Sequence, residues 1–312
     1  MLSETRMTAR RSTLCLAAAV SCLLGGTASG QDRGEVNPKP LPALANPGDP
    51  STPAKDLFGR RRQPTESAAR SIGFYSRGCL AGGEALPVDG QTWQVMRLSR
   101  NRNWGNPVLV SFMERLSAKV PRINGWPGLL VGDMSQPRGG PMLTGHASHQ
   151  VGLDADVWLT PMPDRRLSRA EREEMSATNL VRADKIDVDP SAYTPAHLAL
   201  VRATAREPEV MRIFINPAIK RALCRDAGRD RDWLSKVRPM WGHNYHYHIR
   251  LSCEATGQPC QDQDAPADDD GCGPELDRWF APAMLHPRPG KPRPPMTMAS
   301  LPNECRQVLV AP

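Results

Sequence analysis

The chain has 312 residues, 39% of them hydrophobic, with 31 prolines and a formal charge of +7. This is enough apolar material for one globular core with proline-rich flanks, and it argues against two full domains. No concentrated Lys/Arg stripe with interleaved aromatics accompanies the positive charge, so nucleic acid is excluded as the expected partner.

Arg6, Arg10 and Arg11 precede the apolar run Leu14 to Leu24, and Ala28-Ser29-Gly30 supplies small residues before Gln31. That layout predicts a cleavable signal over residues 1–30; a membrane-spanning helix needs about 20 apolar residues, and this run is shorter. Its removal takes away three arginines and one glutamate, lowering the formal charge from +7 to +5. No later segment is long or apolar enough to span a bilayer. The expectation is a periplasmic protein without an integral membrane segment after cleavage, whose basic surface suits an anionic envelope polymer.

Residues 31–66 read as an extended, proline-rich lead-in, and residues 281–312 as a second proline-rich segment, with the folded unit over 67–280 between them. Within that unit, Val108, Leu109, Phe112 and Leu116 behind Pro107 predict a helix over Pro107 to Val120. Gly128 to Asp133 reads as a buried strand, followed by a glycine-rich loop at Arg138-Gly139-Gly140 and a strand over Asp154 to Leu159. Ser168 to Met175 and Thr194 to Ala205 read as helices, each opening on a Ser or Thr cap. Val210 to Ile215 is a strand by its β-branched and aromatic content, and Pro217 to Cys224 a helix with proline in its first turn. Tyr245 to Leu251 alternates as a strand, which puts His246, His248 and Arg250 on one face and Tyr247 and Ile249 on the other.

Beyond the signal stand Cys79, Cys224, Cys253, Cys260, Cys272 and Cys305. An even number in an exported chain predicts disulfides, and the absence of a Cys-x-x-Cys pair argues against a thiolate metal site. The fold class expected is α+β: a central antiparallel sheet flanked by helices and long loops and stapled by disulfides.

Five of the seven histidines fall in two segments, Gly145-His146-Ala147-Ser148-His149-Gln150-Val151-Gly152-Leu153-Asp154-Ala155-Asp156 and His243-Asn244-Tyr245-His246-Tyr247-His248. Neutral imidazole and carboxylate are the usual ligands of a catalytic Zn²⁺, which commonly takes three protein groups and leaves a position for water. His149 and Asp156 stand in a His-x6-Asp spacing with Gly152 as a turning point, and His246 and His248 share a strand face. Asp154 shares parity with Asp156 and is placed either to orient a ligand histidine or to cap the turn. The helical His-Glu-x-x-His motif is absent, so loop and sheet must assemble the site. The Ser-x-x-Lys acylation motif of serine penicillin-binding enzymes is absent as well.

The His-x6-Asp and His-x-His pattern resembles the superfamily of lysostaphin-type peptidases, D-Ala-D-Ala metallopeptidases and the hedgehog domain. More specifically, Gly145 to Gln150, Gly152-Leu153-Asp154, Arg212-Ile213-Phe214, Asn216 to Lys220 and Asp230 to Leu234 resemble the penicillin-insensitive murein endopeptidases, from about Ser71 through Cys305. The resemblance implies a zinc metallopeptidase that hydrolyses the D-alanyl–meso-diaminopimelyl cross-links of peptidoglycan stem peptides. It implies His149, Asp156 and His248 as zinc ligands and His246 as general base or orienter of the water. His243 would assist His246 or stabilise the oxyanion, and His146 would contact the metal, the water or the substrate. It further implies Asp184 and Asp187 as contacts of a second metal site, their alternative being solvated loop carboxylates. The implied disulfides are Cys79–Cys305, Cys224–Cys272 and Cys253–Cys260, with Cys305 anchoring the tail. Two other readings within the superfamily are a D-Ala-D-Ala carboxypeptidase and a non-catalytic, zinc-bearing peptidoglycan-binding module.

Overall fold

The computed structural model describes residues 33–287 and 294–312; the segment read as a signal lies outside them. In chain order the main elements begin with helix α1 (Ala54–Phe58), strands β1 (Arg70–Phe74), β2 (Arg77–Ala81) and β3 (Trp93–Val95), helix α2 (Pro107–Asn124) and strands β4 (Leu129–Val131) and β5 (Asp154–Trp158). Helices α3 (Arg169–Glu174) and α4 (Pro195–Ala205), strand β6 (Val210–Ile215), helix α5 (Pro217–Asp226), strands β7 (Val237–Pro239) and β8 (His246–Leu251) and helix α6 (Glu304–Val310) complete the set.

Six strands make one sheet in the order β3-β4-β5-β8-β6-β7. Its centre is antiparallel: β4 with β5, β5 with β8, and β8 with β6. The expected antiparallel sheet is thus found at the centre, while both outer pairs, β3 with β4 and β6 with β7, are parallel and make the sheet as a whole mixed. Parallel neighbours need a long crossover, and α2 and α5 supply one at each edge.

Helix α2 forms because Asn106 caps it, its side chain accepting from the Val108 N–H at 3.1 Å, and Pro107 fixes the first turn. Leu109, Phe112, Met113, Leu116 and Val120 are buried at helical spacing and face the sheet core. The helix runs to Asn124, past the expected end at Val120: Pro121 is tolerated in its last turns, and Gly125 closes it at φ 78°. In α4, the His197 side chain accepts from the Thr194 N–H at 3.0 Å, and its other nitrogen meets the Leu159 carbonyl, also at 3.0 Å. His197 is thus a capping residue that belongs to the fold.

Ala155 and Val157 of β5, Ile213 and Ile215 of β6, and Tyr247 and Ile249 of β8 join the main apolar cluster. The valine and isoleucine side chains among them each contribute roughly 1.5 to 3 kcal/mol by leaving water. The alternation in β8 therefore turns His246, His248 and Arg250 to the opposite face, although every residue of this strand is buried.

A smaller apolar cluster joins the two proline-rich flanks. Ala54 and Phe58 of α1, Ile72, Cys79 and Ala81 of the β1–β2 hairpin, and Leu301, Cys305, Val308 and Leu309 near the C-terminus pack together. Composition predicts extended chain at both flanks; apolar residues at helical spacing fold α1 and α6 there instead. Arg138 fastens them, its Nη1 donating to the carbonyls of Val308 at 2.9 Å and Ala311 at 2.6 Å while Nε donates to the Gln63 carbonyl at 3.0 Å. The cysteines pair as Cys79–Cys305, Cys224–Cys272 and Cys253–Cys260, the same pairs the resemblance implies. No helix among the described residues is long and apolar enough to cross a membrane.

The Cys79–Cys305 bridge spans 226 residues and lies inside the smaller cluster. Replacing both cysteines by serine is expected to lower the unfolding free energy by about 2 to 5 kcal/mol, read from denaturant melts. An unchanged midpoint would show that the cluster holds the flanks without the bridge.

Candidate metal centre

The site lies on the polar face of the sheet where β5 and β8 run side by side, with His248 opposite Asp156 and Arg250 opposite Asp154. The end of β4 is held next to them: the Gly132 N–H donates to the Asp156 carbonyl at 2.8 Å, and the Asp156 N–H to the Asp133 carbonyl at 2.9 Å. The chain then loops out and returns through the segment carrying His146 and His149.

His149 is fully buried in the left-handed region, at φ 67°. A non-glycine residue there is strained, and its backbone groups are engaged by side chains that hold it. Asp154 Oδ2 accepts from the His149 N–H at 2.9 Å, and the Ser135 hydroxyl donates to the His149 carbonyl at 2.7 Å. The turn expected at Gly152 is present at φ 73°, where an added Cβ would lie 2.7 Å from Leu80 and 2.8 Å from the Asn106 nitrogen.

Asp156 is buried among four imidazoles. Its Oδ1 lies 3.5 Å from His149 Nε2 and 3.3 Å from His248 Nδ1; its Oδ2 lies 3.5 Å from His146 Nδ1 and 3.6 Å from His246 Nε2. His149 Nε2 and Asp156 Oδ1 are buried and have no hydrogen-bond partner. Buried polar atoms are ordinarily paired, so two facing atoms of this kind mark a place for a cation. His146, His149 and Asp156 each offer a ligand atom within 4.8 Å of the others, and imidazole with carboxylate is a zinc donor set. The residues fit the metal.

Two of the rings donate to an acceptor on their far side, and a third has a carboxylate opposite it without a hydrogen bond. His149 Nδ1 donates to the Met134 carbonyl at 2.6 Å, His146 Nε2 to Asp133 Oδ2 at 2.9 Å, and His248 Nε2 lies 3.2 Å from Asp154 Oδ1. Asp154 stands in both positions open to it: its Oδ2 accepts from the His149 N–H across the turn, and its Oδ1 faces His248 Nε2. Burial works against its ionised form, but Arg250 and His248 outweigh burial and hold the carboxyl well below the usual range. Burial likewise lowers the His248 imidazole, yet Asp154 and Asp156 prevail and push it up to about 9. The cluster therefore attracts positive charge.

His246 and His243 differ. Burial pushes them down to about 4 and about 3, respectively, leaving neutral rings near pH 7. His246 Nδ1 is buried without a partner. His243 Nδ1 donates to the Trp241 carbonyl at 3.0 Å, and its ring centroid is 4.8 Å from that of His246. With the proton on Nδ1, Nε2 carries a lone pair. That geometry suits assistance to His246 better than donation to an oxyanion.

Asp184 and Asp187 are engaged elsewhere. Asp184 pairs with Arg182 and accepts from the Ile186 N–H at 3.0 Å, while Asp187 pairs with Arg225 at 3.0 Å. Neither belongs to a metal-holding group among the described residues. Sequence reasoning missed Asp133, Met134, Arg100 and Arg102. The available signal was an aspartate two residues past β4, but only the fold brings it to His146.

Similarity to known proteins agrees with this geometry. Residues 71–310 match the family described as penicillin-insensitive murein endopeptidase. Proteins named penicillin-insensitive murein endopeptidase from Escherichia coli strain 55989 / EAEC and from Escherichia coli O1:K1 / APEC are each 44% identical over 248 residues, covering 79% of this chain and 88% of theirs. With the match spanning the sheet, the His/Asp cluster and all three disulfides, the chain belongs to the penicillin-insensitive murein endopeptidase family.

Proposed function

We propose that this chain is a zinc-dependent murein endopeptidase that hydrolyses the D-alanyl–meso-diaminopimelyl amide cross-links of peptidoglycan in the periplasm. The observation that carries the reading is the buried Asp156 carboxylate facing imidazole nitrogens, with His149 Nε2 and Asp156 Oδ1 lacking any partner. The relatives are named murein endopeptidases, and that supplies the substrate class.

His149, Asp156 and His248 would hold the ion in this reading, and His146, whose ligand atom lies within 4.8 Å of those of His149 and Asp156, would be a further contact of it. A bound zinc supplies Lewis acidity, polarising the scissile carbonyl and acidifying water. His246, neutral and buried beside Asp156, takes the proton released on attack and returns it to the leaving amine. His243 packs against His246 and supports that transfer. No serine nucleophile takes part, so a β-lactam has no hydroxyl to acylate. Asp184 and Asp187 serve as loop ion-pair partners of arginines, with a second metal site left to the metal count below.

Purified protein is expected to convert cross-linked muropeptide dimers of isolated sacculi into monomers, to lose this activity to a chelator and to regain it with zinc. Dimers that persist with zinc restored would sink the reading, and loss of a single alanine from monomers would reassign it to a carboxypeptidase. The His246→Ala variant is expected to keep wild-type zinc content while its hydrolysis rate falls roughly 10²- to 10⁴-fold. An undiminished rate would remove His246 from proton transfer. Elemental analysis of the wild type is expected to give one zinc per chain; two would restore Asp184 and Asp187 as ligand candidates.

A further inference from the structure

We infer that Asp133 is a positioning residue of the metal centre: it selects which nitrogen of His146 faces Asp156 and, with Arg102, anchors the loop that carries that ring. This rests on the metal-site reading above. His146 is the member of the cluster least held by its own segment. Thr144, Gly145 and Ala147 around it are exposed, whereas His149 and His248 are buried in the fold. Gly145 stands at φ 89°, a conformation glycine adopts without steric cost and one with no side chain to fix the loop there.

Asp133 and Arg102 supply those contacts. Asp133 is buried, and its Oδ2 accepts from Arg100 at 3.0 Å, from Arg102 at 2.9 Å and from His146 Nε2 at 2.9 Å. Arg102 also donates to the Thr144 carbonyl at 3.1 Å, one residue before Gly145. One carboxylate thus grips both the ring and, through the guanidinium, the backbone leading to it.

A carboxylate held by two guanidinium groups is ionised and only accepts, so the His146 proton on that side must sit on Nε2. Nδ1 is then the nitrogen presented to Asp156 Oδ2, at 3.5 Å. Asp133 does for His146 what the adjacent Met134 carbonyl does for His149. Two consecutive residues just beyond β4 therefore set the ring orientation of two members of the cluster. Groups of this kind, which touch a ligand and not the ion, are typically worth 10- to 100-fold in metal affinity.

The test is a zinc-affinity cycle, by competition with a chelating dye, on wild type, Asp133→Asn, His146→Gln and the double variant. Asp133→Asn is expected to weaken zinc about 10- to 100-fold in the wild-type background and less than about 3-fold in the His146→Gln background. Equal losses in both backgrounds would mean that Asp133 acts through the general fold, and unchanged affinity in folded Asp133→Asn would overturn the inference outright. Should that variant not fold, ¹⁵N-histidine NMR of zinc-loaded wild type decides: a protonated Nε2 on His146 supports the assignment, and a protonated Nδ1 overturns it. A wild type that binds no zinc overturns this inference together with the metal-site reading, while a lost cycle with zinc binding intact overturns this inference alone.

Discussion

The buried carboxylate of Asp154 is the interaction on which the site depends. It accepts the backbone N–H of His149 at 2.9 Å, receives Arg250 at 2.8 and 3.0 Å, and lies 3.2 Å from His248 Nε2. One residue thus holds the left-handed backbone of His149 and the imidazole of His248. Breaking a buried ion pair by removing one partner costs about 3 to 5 kcal/mol, so the group is costly to lose as well as orienting. Arg250 is itself fixed, its guanidinium 4.1 Å from the ring centroid of Tyr75 and 5.0 Å from that of Phe214, with Gln263 accepting from it at 2.7 Å.

Around that anchor the sheet divides labour between its faces. Ala155, Val157, Tyr247 and Ile249 face the apolar core, and the alternate positions Asp154, Asp156, His246, His248 and Arg250 face the site. Because core and site share the same two strands, packing that fixes the strand register also fixes the distance between Asp156 and His248. A one-residue slip would send the whole constellation into the apolar cluster, an outcome that burial strongly opposes. The rigidity of the site is in this sense the rigidity of the core.

The polar face is buried, which gives its charges their strength. Asp133, Asp154 and Asp156 are all held well below the usual carboxylate range, in each case by cationic or imidazole neighbours that overcome the cost of burial. Together they create a negative locus that draws positive charge while leaving His246 and His243 neutral. The contrast between His248, pushed up to about 9, and His246, pushed down to about 4, arises two residues apart on one strand. His248 has a carboxylate close to each ring nitrogen, Asp154 at 3.2 Å and Asp156 at 3.3 Å, whereas His246 has only Asp156, at 3.6 Å.

Much of this was legible in the chain because it is local. The two-residue period of β8 put His246, His248 and Arg250 on one face, Gly152 marked the turn between His149 and Asp156, and Pro107 announced α2. Family resemblance, carried by contiguous motifs, indicated the disulfide pairs, which cysteine spacing leaves open. What could not be read depends on contacts between distant segments. The parallel sheet edges follow from crossovers through α2 and α5, and the helices in the proline-rich flanks form against the β1–β2 hairpin. Asp133 and Met134 reach His146 and His149 only because β4 lies beside β5. Residue types and spacing by themselves determined which atoms were available to hold a metal and which strand faces would carry them. Tertiary structure alone decided which nitrogen of each ring faces Asp156, because that choice belongs to the acceptor behind the ring, brought there by a different part of the chain.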